Sequence, residues 1–191
     1  MRRRPPILVL CLLAAVLAAG CGTKRAALPD VATPKPPGAP HGQFFPAAGV
    51  RFRAPQNWRI QAGAAPLVAT VASGQAVIAV WRYPRAEILP TTKTALRQAR
   101  TRLIRQARKR DKQLRVVASQ LSRVDRRPAI VLVGQEIVAG QVRLVRSTHV
   151  FGHGAEIVVD AYAPPATFPL VNQSVFGPLV ASLRLAAPKK A

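Results

Sequence analysis

Ala129-Ile130-Val131-Leu132-Val133-Gly134-Gln135-Glu136-Ile137-Val138, then Ala139-Gly140, then Gln141-Val142-Arg143-Leu144-Val145-Arg146-Ser147-Thr148-His149-Val150-Phe151: two β-branched runs about a two-residue break ending in glycine read as a long antiparallel hairpin. Beyond it, Gly152-His153-Gly154 reads as a three-residue turn and Ala155 to Ala163 as a returning strand. Before it, Leu114 to Val124 has the period of a strand, and Asp125-Arg126-Arg127-Pro128 is a turn signal. The four strands make a meander. Turn length sets register. The Ala139-Gly140 turn puts Glu136 opposite Arg143, and a three-residue loop about His153 puts Asp160 opposite Arg146. Facing opposite charges contribute roughly 0.2–1 kcal/mol each, so both acids are expected as sheet pairs.

Upstream of the meander the period changes to 3.6. Leu96, Ala99, Leu103 and Ala107 make one apolar stripe, with Ile104 at its edge, so a long helix is expected from about Thr92 to Arg110, capped by Thr91 or Thr92. Arg100 falls on the apolar side, where a snorkelling side chain is expected. Leu67–Ala72 and Gln75–Tyr83 about Ser73-Gly74 form a second hairpin, and Val50 and Phe52 belong to an opening strand closed by Pro55. Pro169 to Ala181 reads as a short C-terminal helix interrupted near Gly177-Pro178, and Ser182–Leu185 as a last short strand. The fold class is therefore α+β: an antiparallel sheet of about six strands, hairpin plus meander, with one long and one short helix packed on it.

Gly49-Val50-Arg51-Phe52-Arg53-Ala54-Pro55-Gln56-Asn57-Trp58, the helix-then-meander order and the closing Ser182-Leu183-Arg184 resemble the PsbP-like family over roughly residues 43–187. The resemblance implies an α-β-α sandwich. It also implies a domain found in bacterial lipoproteins, whose members mostly bind or support other proteins, photosystem II assemblies among them. No shared catalytic motif comes with it.

The N-terminus supplies an address. Arg2, Arg3 and Arg4 precede an uncharged run of 14 residues, Ile7 to Gly20. That is short of the ~20 apolar residues of a membrane span and within the range of an export signal. No other stretch is long and apolar enough to span. Ala18-Ala19-Gly20-Cys21 resembles the bacterial lipobox, with Leu17 one residue earlier than the usual leucine. Residues 1–20 are then a signal peptide and Cys21 is acylated; the alternative is an ordinary signal cut beside an incidental Cys21. Residues 21–42, with Pro29, Pro34, Pro36, Pro37 and Pro40, read as a tether that at ~3.1 Å per residue reaches roughly 60 Å. The domain follows over 43–187, and 188–191 are a tail. The expected location is the extracytoplasmic face of a bacterial membrane, with the membrane as partner through the N-terminal lipid.

The two cysteines are Cys11, inside the signal, and Cys21. The domain thus has no thiol, which excludes a Cys nucleophile, a thiolate metal site and a disulfide. Without Arg2–Arg4 the chain has 26 basic and 7 acidic side chains, a net +19. Such a field attracts anionic lipid, wall polymer or nucleic acid. Nucleic acid is not expected as a physiological partner of an exported chain without interleaved aromatics. Arg outnumbers Lys 22 to 7, so part of the basicity is compositional.

Nine basic residues lie between Lys93 and Lys112 against one acid, Asp111. Arg97, Arg102, Arg105, Arg108 and Lys109 fall off the apolar stripe and are the candidate contacts to an anionic surface. A solvated face and a membrane-inserting helix are the competing readings; insertion is disfavoured because the apolar face is half alanine. His149 and His153 have a metal-like spacing but lack further ligands, and no metal site or cofactor is expected. Ser147 and His149 share a strand face, and with Asp160 suggest a triad; no nucleophile elbow accompanies them, so no catalytic residue is assigned. The reading is a non-catalytic, membrane-anchored binding or support module with an envelope protein partner. The alternative is a carrier of an apolar ligand between sheet and helix, and an uncharacterised hydrolase is third.

Overall fold

In the computed structural model, which describes residues 32–189, the meander forms one half of a seven-stranded antiparallel sheet. In chain order the elements are β1 (Pro40–Phe45), β2 (Val50–Pro55), β3 (Arg59–Ala62), β4 (Leu67–Ser73), β5 (Ala76–Pro84), α1 (Lys93–Arg110), β6 (Arg115–Val124), β7 (Arg127–Val138), β8 (Gln141–Gly152), β9 (Ala155–Ala163), α2 (Phe168–Val171), α3 (Gly177–Ser182) and β10 (Arg184–Leu185). The large sheet runs β3-β4-β5-β9-β8-β7-β6, and β1-β2-β10 form a separate three-stranded sheet. Ten strands in two sheets replace the expected six or so. β1 and β3 are short and half-exposed, so neither has the apolar alternation that marks a strand. Signal residues 1–20 and Cys21 lie outside the described residues.

The expected domain start at residue 43 moves forward, because β1 begins at Pro40. Residues before it run along the domain: Lys35 N donates to Ser73 Oγ (2.9 Å) and Trp58 Nε1 to Lys35 O (3.1 Å). Asn57 accepts from Gly38 N and donates to Pro36 O. Extended Pro-rich backbone has no internal hydrogen bonds, and these side chains satisfy it. Among the described residues no helix is long and apolar enough to cross a membrane.

The sheet lies between two helical layers. On one face α2, α3 and β2 cover the strands. Phe168, Val171, Val175, Phe176, Leu179 and Val180 pack there with Ile78, Val80, Ile157, Val159 and Val150 in the main core. Each such buried side chain contributes ~1.5–3 kcal/mol. A π-helical turn, Asn172–Phe176, joins α2 to α3. Pro178 has no N–H to give the carbonyl one turn back, and Gly177 N bonds Asn172 O instead.

α1 covers the other face. Thr92 caps it, accepting from Ala95 N at 3.2 Å. Its sheet side carries Leu96 and Ala99, buried with Ile130, Leu132 and Phe151; Leu103 and Ile104 are only partly covered. Arg100 is half-buried beside them.

All three meander turns have two residues, and both residues of each have positive φ: Asp125-Arg126, Ala139-Gly140 and His153-Gly154. These primed turns match the right-handed twist of the strands. Glu136 does face Arg143 across β7 and β8. At the third turn the expected register is off by one. Gly152 pairs with Ala155, so Asp160 faces Ser147 and Arg146 faces Ala161. A one-residue shift sends a side chain to the opposite face. Arg146 accordingly points to the α2–α3 side, where it donates to Asn172 Oδ1 at 3.1 Å.

Candidate functional site

The half of α1 nearest β6 does not fill its side of the sheet. Beyond Leu103 the helix offers Ala107 and Gln106 to the strands, and the strands beneath offer Gly134 and Ser147. Small side chains on both walls leave a partly open cavity of about 310 Å³, lined also by Arg110, Leu114, Tyr83 and Tyr162.

The floor is polar. Ser147, His149 and Phe151 on β8 share a face with Tyr162, Asp160, Val158 and Glu156 on β9. Ser147 Oγ donates to Asp160 Oδ1 at 2.5 Å and lies 3.0 Å from His149 Nε2. His149 Nδ1 lies 2.6 Å from Glu156 Oε1. Arg85 donates from Nε to Glu156 Oε2 at 3.0 Å and pairs with the same oxygen through Nη2. One hydrogen-bonded chain therefore runs Arg85–Glu156–His149–Ser147–Asp160.

Burial governs its charges. Asp160 is held above the usual carboxyl range chiefly by desolvation, against the pull of Ser147, His149 and Arg110. Burial also acts to raise Glu156, but its bonds and charge contacts with His149 and Arg85 outweigh that, and the net shift is downward. Glu136 is raised by burial and then by Asp111 and Asp160. Tyr83 and Tyr162 are raised by burial and by Asp160. The chain accepts two proton placements of equal total. With Asp160 ionised, the Ser147 hydroxyl donates to it and His149 Nε2–H donates to Ser147. With Asp160 protonated, both bonds reverse.

Three of the seven acids of a strongly basic chain thus line one cavity. Neither expected sheet ion pair forms. Arg143 faces Glu136 in register but donates to Gln75 Oε1 and Gln141 Oε1, both at 2.7 Å. The suggested Ser147–His149–Asp160 grouping is real in space, but Glu156, not Asp160, orients His149, and Asp160 holds Ser147. Glu156 went unread as a partner of His149 because the third turn was expected to hold three residues, and a two-residue His153-Gly154 turn, with Gly second, is the signal that would have brought it in.

The arrangement has the order of a nucleophilic triad without its oxyanion site. Ser147 lies in mid-strand, with β8 paired on both sides by β7 and β9, so strand amides there are committed to the sheet. Among the described residues no group of three metal-ligating side chains is arranged to hold an ion. His153 is at the β8–β9 turn, 2.6 Å from Arg127 Nη2, remote from His149 in role. Arg97, Arg102, Arg105, Arg108 and Lys109 are all exposed on α1, and none of them lines the cavity.

The architecture is that of a PsbP-like fold. The cyanobacterial PsbP (CyanoP) of Synechocystis sp. PCC 6803 superposes with a TM-score of 0.60 at 14% identity, covering 78% of this chain and 93% of that one. LpqN of Mycobacterium tuberculosis, described as involved in cell envelope biogenesis, gives 0.52 at 17% identity over 81% and 90%. The Ran-binding protein Mog1p of Saccharomyces cerevisiae gives 0.51 at 7% identity over 78% and 96%. No protein-family model and no curated protein matches the sequence. At these identities the likeness is one of fold.

Proposed function

We propose that this chain is a non-catalytic binding module of the cell envelope, and that it holds a small polar, hydrogen-bond-donating ligand in the cavity beneath α1. The carrying observation is the convergence of Glu136, Glu156 and Asp160 on one cavity of about 310 Å³. A basic composition scatters Arg over any surface, but it does not gather the few acids together. Tyr83 and Tyr162 add aromatic walls suited to a cationic or CH-rich group. An apolar ligand suits this floor less well, since it would strip water from carboxylates without replacing their hydrogen bonds. The envelope setting draws on the lipobox-like stretch at Cys21 and on the structural likeness to LpqN.

The test is calorimetry on the purified protein with amine-bearing probes, ethanolamine, spermidine and glucosamine. A saturable signal lost in Ala107→Phe, which fills the cavity from α1, supports the reading. Turnover of an ester probe that disappears in Ser147→Ala, with the fold intact, overturns the non-catalytic part.

The exposed arginines of α1 favour a second, compatible element: a footing on anionic lipid or wall polymer while Cys21 anchors the chain. Each basic residue near an anionic surface contributes ~1 kcal/mol. Charge reversal at Arg97, Arg105 and Lys109 should abolish sedimentation with phosphatidylglycerol vesicles at low salt. Cys21→Ser should move the protein to the soluble fraction.

A further inference from the structure

A second concentration of positive charge stands apart from the arginines of α1. It lies where the small sheet meets the β6–β7 turn. There Arg51 of β2, Arg126 and Arg127 of the turn, and Arg184 of β10 line a groove of about 710 Å³, with Phe44 and Leu185 as its apolar parts. Its one carboxylate, Asp125, is occupied. Its Oδ2 accepts from Leu185 N at 2.9 Å, and its Oδ1 lies 3.7 Å from Arg184 Nε.

Composition explains scattered arginines better than it explains their placement here. Arg51 and Arg184 sit directly opposite one another in the antiparallel β2–β10 pair. Like charges at facing positions oppose pairing. Among the described residues, none is a hydrogen-bonding or ion-pair partner of the Arg51 or Arg126 guanidinium. Arg126 is held in the left-handed region at φ 60° by the tight turn, on the rim of the groove. Arg127 is fixed differently. Its side chain packs over Gly152, where a Cβ would lie 2.4 Å from Arg127 Cδ, and its Nη2 lies 2.6 Å from His153 Nε2. Its Nε is buried with no partner. Arg184 donates from Nη1 to Ala181 O and Leu183 O, which leaves Arg51 and Arg126 as the groove's uncompensated guanidinium groups, an arrangement that a bound oxyanion neutralises.

We propose that this groove is a second binding site, for a phosphate-bearing group. Guanidinium forks donate paired N–H groups that match phosphate oxygens. Four arginines against one engaged carboxylate suit a multiply charged phosphate better than a single carboxylate. The phosphate belongs either to a soluble phosphate compound or to a lipid headgroup, and both use the same recognition. The site is distinct from the acid-lined cavity, and its ligand has the opposite charge.

The full chain is titrated with inorganic phosphate and pyrophosphate by calorimetry at physiological salt, and sedimented with phosphatidic acid vesicles. Wild type is compared with Arg51→Gln/Arg184→Gln and with Arg97→Gln/Arg105→Gln on α1. Saturable binding of the soluble anions, weakened at least tenfold by the groove pair and less than twofold by the α1 pair, supports a soluble phosphate ligand. Binding to vesicles alone, weakened at least tenfold by the groove pair, supports a headgroup. Binding that the groove pair leaves unchanged, or no binding in either arm, overturns the proposal. Both substituted groove residues are exposed, and a far-UV circular dichroism spectrum matching wild type checks that the variant folds. Arg51→Gln should raise Tm in phosphate-free buffer by removing the facing like charge. It should also lose the Tm increase that phosphate produces in wild type. A Tm increase retained in the variant counts against the site.

Discussion

The two faces of the seven-stranded sheet are made by the same strands and packed in opposite ways. Toward α2 and α3 the face is filled mainly by apolar side chains: Ile78, Ile157, Val150 and Val159 meet Phe176, Leu179 and Val180, and Phe168 packs edge-on to Phe176 with centroids 6.0 Å apart. Toward α1 the filled part is a small cluster around Leu96, Ile130 and Phe151. The remainder is a cavity over a charged hydrogen-bond chain. A buried polar chain stabilises a fold less than an apolar core of the same shape would. Stability is concentrated on one face, which leaves the other free to carry chemistry.

The largest test of that contrast is truncation on each side. Phe176→Ala should cost about 4 kcal/mol, because the ring is fully buried and its neighbours cannot close the gap. Leu103→Ala, over the cavity, should cost about 1 kcal/mol, since the side chain is already half-exposed. Urea midpoints at constant m-value measure both. Equal losses would mean that the α1 face is as tightly packed as the other.

Next in size is the centre of the polar chain. Glu156 is 3% exposed and joins His149 to Arg85. Glu156→Ala should cost about 3 kcal/mol, the low end for breaking a buried pair, because Arg85 retains access to water. The pH dependence has a definite sign. The folded-state pKa of Glu156 is depressed, so its stabilisation is present above the unfolded carboxyl value of ~4.3 and is lost as pH falls below it. Glu156→Gln should therefore flatten the acid side of the stability–pH curve, which unfolding at pH 3 to 6 measures.

A smaller change should go the other way. Ala107→Leu places a larger side chain from α1 into the cavity, and cavity filling commonly stabilises by about 0.5–2 kcal/mol. The same variant should lose the amine-probe signal. A more stable protein that still binds would place the ligand elsewhere.

Much of the fold was legible in the sequence because each element carries its own signal. The Leu96/Ala99/Leu103 stripe and Thr92 located α1 to within one residue. The runs about Ala139-Gly140 located the β7–β8 hairpin and its register. β1 and β3 were not legible, since edge strands with mixed exposure lack period-two patterning. The site was half legible. Ser147 and His149 alternate onto one face in any register, but their carboxylates depend on the length of a turn around His153. One residue there decides whether Asp160 meets an arginine on the packed face or a serine in the cavity. Local sequence does not carry the α1–sheet gap either, because it arises from small residues on separate elements, Ala107, Gly134 and Ser147.

The smallest predicted effect isolates the cost of keeping charge on the open face. Asp160 is raised by burial, so the native state holds its proton to higher pH than the unfolded chain does. Between the two pKa values stability falls as pH rises. Above that window the ionised carboxylate is a standing cost to the fold. Asp160→Asn removes this charge while its Oδ1 can still accept from the Ser147 hydroxyl. The variant should match wild type at pH 3 and exceed it in Tm at pH 7, with the gap opening as pH climbs through the carboxyl range. A gap of the opposite sign at pH 7 would mean that attraction from His149 and Arg110 outweighs desolvation. The polar chain would then be a stabilising element in its own right, and the division of labour between the two faces would not hold.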